Sequence, residues 1–151
     1  MATSKYESQF LTLVKESLII NSKADKYIKN LNNYSDLTGR IAIEISQIHH
    51  MSVYEARSYI DGRTGRFKPG KALHVCPSDK IQGLFNQLEL VTSEINNCPW
   101  TTKEAAINDV AVGQNKVKSM LSQIKNEVGV EAAKEILNRT MDLARRQTGV
   151  K

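Results

Sequence analysis

Residues 37–60 read LTGRIAIEISQIHHMSVYEARSYI, and the period of this stretch decides the fold class. Leu37, Ile41, Ile45 and Ile48 recur at steps of four, four and three, which places them on one stripe of a helix. The β-branched run Ile41-Ala42-Ile43 argues for a strand, but the stripe persists far beyond it and favours a helix. His49-His50-Met51 then interrupts the pattern. Ser52-Val53-Tyr54-Glu55 has the Ser-x-x-Glu form of a capping box, so a second, short helix is expected to start there. That helix would bury Val53, Ala56 and Ile60 and stop at Gly62.

Upstream, Phe10, Leu13, Val14, Leu18 and Ile19 share a helical face, and Ala24, Tyr27, Ile28 and Leu31 mark a shorter helical stretch. The run Asn32-Asn33-Tyr34-Ser35-Asp36 has turn chemistry, with Ser35 as the N-cap of the next helix. Downstream, residues 62–77, GRTGRFKPGKALHVCP, lose the helical period and read as an extended loop or short hairpin. Ser78 offers an N-cap, and Ile81, Leu84, Phe85, Leu88, Val91 and Ile95 form an amphipathic helix that ends at Asn96-Asn97-Cys98-Pro99. Thr101-Thr102-Lys103-Glu104 offers a second capping box. Ile107, Val110, Val117, Leu121 and Ile124 follow on one face. Gly129 marks a break before a last helix with Val130, Ala133, Ile136, Leu137, Met141 and Ala144. The short connection predicts that these last two helices pack antiparallel.

The expected fold is therefore all-α, a compact multi-helix domain of six or seven helices over residues 1–151. Residues 35–78 would form a helix-turn-helix-like unit plus a basic loop, and residues 101–148 a C-terminal helical pair. Residues 44–56, EISQIHHMSVYEA, and 94–105, EINNCPWTTKEA, share a faint pattern. Any two capped helix–turn–helix junctions would also produce it.

Composition bounds the function. Apolar residues make up 40% of the 151 and charged residues 25%, which excludes a disordered or low-complexity chain. The formal net charge is +5. Residues 63–80 carry +4, whereas 36–62 and 81–100 each carry −2, so the cations concentrate in one short stretch. Two cysteines, Cys76 and Cys98, are too few for a disulfide framework. Lys15 and Glu16 break the apolar N-terminal run, no segment has the length of a membrane span, and a cytoplasmic protein of bacterial or mobile-element type is expected.

The segment Leu37–Ile60 resembles a helix-turn-helix DNA-binding unit, in which the second helix enters the major groove with its N-terminal residues facing bases. Ser52, Tyr54, Arg57, Ser58 and Asp61 would point outward. Arg57 can pair bidentately with a guanine, and Tyr54 can meet a phosphate or an apolar base edge. Arg63, Arg66, Lys68, Lys71 and His74, interleaved with Gly65, Phe67 and Gly70, can neutralise phosphates while Phe67 stacks on a base or wedges into a step. Against this stand a longer first helix than is usual, a turn without glycine, and the negative charges of Glu55 and Asp61. Two core helices and a solvated basic loop are the plainer alternative.

The order of these parts over residues 37–78 is similar to the flagellar master-regulator C subunit family of bacterial transcription activators. The resemblance rests on an apolar helix, then MSVYEARSYIDG, then RTGRFKPGKALHVC. It implies DNA-bound transcriptional activation with a helical partner subunit. The family's four-cysteine zinc cluster is absent, because Cys76 and Cys98 stand far apart.

His49, His50, His74 and Cys76 lack the spacing of a structural zinc site, and no phosphate loop, dinucleotide fingerprint, HExxH or GxSxG is present. No enzymatic activity, metal or cofactor is expected. Trp100, the only tryptophan, is either a packing anchor or a partner-binding residue. The expectation is a DNA-binding protein, a transcriptional regulator or phage or plasmid accessory factor, homodimeric through the C-terminal helices. The alternative is a helical adaptor, scaffold or inhibitor of a protein partner that uses Trp100 and the 81–95 helix. RNA is a weaker third option, because Phe67 lacks a paired aromatic.

Overall fold

The computed structural model describes residues 3–60 and 79–150, without the side chains of His49, Ser58 and Tyr59. Among these residues there are five α-helices and no strand: α1 (Glu7–His49), α2 (Val53–Ile60), α3 (Asp79–Asn96), α4 (Lys103–Val128) and α5 (Val130–Thr148). No helix among them is long and apolar enough to cross a membrane. The expected loop and the Gly62 stop lie outside the described residues.

The all-α reading holds, but three expected N-terminal helices are one helix of 43 residues. The turn at Asn32–Asp36 and the N-cap at Ser35 do not form. No proline interrupts α1, and Gly39 is its sole glycine. Its hydroxyl side chains bond back onto its own turns, as when Thr38 Oγ1 donates to the Ser35 carbonyl at 2.9 Å. Tyr27, Asn30, Leu37 and Thr38 are buried across the expected break, and that packing outweighs the weak local preference for a turn. The strand alternative for Ile41–Ile43 fails on period. Ile41, Ala42 and Ile45 are fully buried, while Ile43 is 46% exposed.

The chain divides into two compact units, Met1–Lys26 with Trp100–Lys151, and Tyr27–Pro99. In the first, Phe10 and Val14 of α1 pack with Ile124 of α4 and with Ala133, Ile136 and Ala144 of α5. Gly129 separates α4 from α5 as a one-residue break with φ 87°. Its N–H donates to the Lys125 carbonyl at 2.9 Å, and its carbonyl accepts from Ala133 N at 3.0 Å. That φ lies in the region glycine reaches without steric cost. Val117 and Met141, equally far from Gly129 on either side, line one cavity, so α4 and α5 run antiparallel as expected. Arg139 Nε donates to Glu7 at 3.0 Å and ties α5 to the start of α1.

In the second unit, Leu37, Ile41, Ala42 and Ile45 of α1 meet Ala56 and Ile60 of α2 and Ile81, Leu84, Phe85 and Leu88 of α3. Each large side chain buried in this cluster contributes about 1.5–3 kcal/mol. Asn30 Nδ2 donates to Glu94 at 2.9 Å and Lys80 pairs with Glu44 at 2.7 Å, fixing α3 along α1 at two levels.

Candidate nucleic-acid interface

The junction between α1 and α2 is three residues long, His50-Met51-Ser52. His50 adopts φ 52°, and Met51 N donates to the Ser46 carbonyl at 3.2 Å, the six-to-one bond of a Schellman ending. His50 thus occupies the left-handed position that glycine fills in most such turns. Met51 packs against the core cluster behind it. Ser52 Oγ accepts from Glu55 N at 3.0 Å, and Ala56 N donates to the Ser52 carbonyl at 2.9 Å. These bonds satisfy N–H groups that the start of α2 would otherwise leave bare.

Ala56 and Ile60 anchor α2 in the core. Val53, expected to face inward, is 42% exposed: it occupies the first turn of a short helix, ahead of the buried pair. Tyr54 is 89% exposed. Arg57, one turn further on and also exposed, borders a recess of about 240 Å³ with Tyr34, Ser35, Thr38 and Ile60. Its guanidinium passes the α1 backbone at Gly39, where a Cβ would lie 3.7 Å from Nη2. Ser52, Tyr54 and Arg57 are all exposed, Ser52 as the cap of α2, Tyr54 away from the core and Arg57 beside α1. The Ser58 side chain and Arg63, Arg66, Phe67, Lys68 and Lys71 lie outside the described residues, as do Asp61, His74 and Cys76.

Trp100 belongs to the other unit. It is 8% exposed, and its indole N–H donates to Asp109 at 2.7 Å, which leaves it little area to offer a partner. Sequence reasoning missed Arg40 on α1, an exposed cation that borders a second recess of about 390 Å³ with Asp36, Leu37, Gln87, Leu90 and Val91. Among the described residues no three His, Cys, Asp or Glu side chains converge on a common point. Comparison with protein families, curated proteins and solved structures finds no match to this chain.

Proposed function

We propose that this protein binds duplex DNA, as a transcriptional regulator or an accessory factor of a mobile element, with α2 as the helix that enters the major groove. One observation carries the reading. α2 is held from behind by Ala56 and Ile60, while Tyr54 stands exposed on its far side, with Arg57 exposed beside α1 and Ser52 exposed at the helix start. A three-residue turn before it fits the spacing of a helix-turn-helix. In sequence, the cations Arg63, Arg66, Lys68 and Lys71 follow directly, so phosphate neutralisation and base contact fall to neighbouring segments.

A mobility-shift titration with mixed-sequence duplex tests this. Binding at about 50 mM salt that is lost by about 200 mM supports it. No binding to duplex DNA at low salt refutes it. A second reading, a helical adaptor for a protein partner, is favoured by Leu90, which is 70% exposed beside Leu37 and Val91. The same titration separates the two, since an apolar contact at Leu90 leaves DNA unbound.

A further inference from the structure

The groove between α1 and α3 carries an exposed apolar face with two charges set into it. Asp36, Leu37 and Arg40 of α1 and Gln87, Leu90 and Val91 of α3 line it. Leu90 is the most exposed large aliphatic side chain among the described residues, and Ile43, three residues beyond Arg40 on α1, is also exposed. A carboxylate and a guanidinium four residues apart on one helix can pair with each other. Asp36 and Arg40 do not, and neither has an ion pair elsewhere among the described residues. One face thus holds both halves of an ion pair, left open, beside apolar area open to water.

The register of the two helices relates these residues. α3 runs antiparallel to α1, with Lys80 against Glu44 and Glu94 against Asn30. On that register Leu90 stands at the level of Tyr34. Asp36 and Arg40 lie two residues to either side of Thr38, and Leu90 and Ile43 lie four and five residues to either side of the same level. A two-fold axis through the groove at the level of Thr38 therefore does two things at once. It sets Arg40 level with the partner's Asp36, and Ile43 level with the partner's Leu90. The one-residue difference in spacing is about 1.5 Å of helix rise, well within the reach of a side chain. A two-fold contact requires a patch that complements itself in this way. We propose that this face of α1 and α3 binds a second copy of the same chain. A partner of one charge sign leaves Asp36 or Arg40 unpaired, whereas a second copy satisfies both. The contact does not rest on DNA binding, because no residue of α2 takes part. Nor does it use the C-terminal helices, where the sequence led to the expectation of a dimer.

The test is sedimentation velocity of the full chain over a concentration series, without nucleic acid. The wild type should pass from monomer to dimer as concentration rises. Arg40→Asp faces carboxylates across the axis and Asp36→Arg faces guanidiniums, so each should weaken self-association about tenfold. An equal mixture of these two variants should associate, because every facing pair is then opposite in sign. The combined variant Asp36→Arg, Arg40→Asp exchanges the charges, keeps the pairing and should return to within about threefold of the wild type. Leu90→Glu, at an exposed position, should leave monomer alone while the helical circular dichroism is unchanged. A wild type that stays monomeric up to about 1 mM overturns the assignment. So does a dimer indifferent to Leu90→Glu, or one that neither the mixture nor the exchanged pair restores.

Discussion

Ser52 Oγ accepts the backbone N–H of Glu55 at 3.0 Å, and this bond sets where α2 begins. The helix has only 8 residues, too few to be stable by propagation alone. Ser52→Ala is expected to cost about 1 kcal/mol, read as a shift of the urea midpoint. Hydrogen exchange at Glu55 and Ala56 should speed up first, and DNA affinity should fall with it. An unchanged midpoint and exchange pattern would show that packing of Ala56 and Ile60 alone defines the helix.

His50 holds a left-handed conformation that costs a non-glycine residue about 1 kcal/mol. His50→Gly should therefore raise stability by about 0.5–1 kcal/mol in urea denaturation. His50→Val should lower it, because a branched side chain tolerates that region least.

Asp109 accepts the Trp100 indole N–H at 2.7 Å. Asp109→Leu should destabilise by about 1.5 kcal/mol, while Asp109→Asn, which retains an oxygen acceptor, should cost less than half as much. Trp100 is the only tryptophan, so its emission maximum should shift red in Asp109→Leu before global unfolding begins.

Tyr54 and Ala56 lie two residues apart on α2 but should behave oppositely. Tyr54→Ala and Arg57→Ala should change stability by no more than about 0.5 kcal/mol, as exposed substitutions do. Arg57→Ala should still weaken DNA binding and relax base preference, by about 1–3 kcal/mol at one position. Ala56→Leu should cost about 1–3 kcal/mol by overpacking a site with no free area. Thermal melts alongside binding isotherms separate the two classes.

What could be read in advance follows how local the cause is. The breaks at Gly129 and at His49–Ser52 were legible, because a glycine and a capping serine act within a few residues of themselves. The second capping box was legible one residue off: Thr102, not Thr101, is the cap, with its Oγ1 accepting from Ala105 N at 3.1 Å. The continuity of α1 was not legible. Asn32 to Asp36 carry turn chemistry, and what overrides it is distant, the burial of Tyr27 and Leu37 and the bond from Asn30 to Glu94. Ile107 and Val130 were expected in the core and are exposed; the neighbouring Ala106, not Ile107, takes the buried face at that level. Of the set expected to point outward, Ser52, Tyr54 and Arg57 are exposed, while the Ser58 side chain and Asp61 lie outside the described residues; Val53, expected inward, is exposed. Arg40 was missed because its recess depends on α3, remote in sequence.

The central claim is that a polyanion meets the chain where α2 runs into the cations of residues 63–71. The most direct measurement is the salt dependence of duplex binding for the wild type and for the combined variant Arg63→Glu, Arg66→Glu, Lys68→Glu and Lys71→Glu. For the wild type, log K should fall against log salt with a slope of roughly −4 to −5. The variant should lose binding at every salt concentration while keeping its helical circular dichroism. A variant that binds DNA with the wild-type slope would contradict the account.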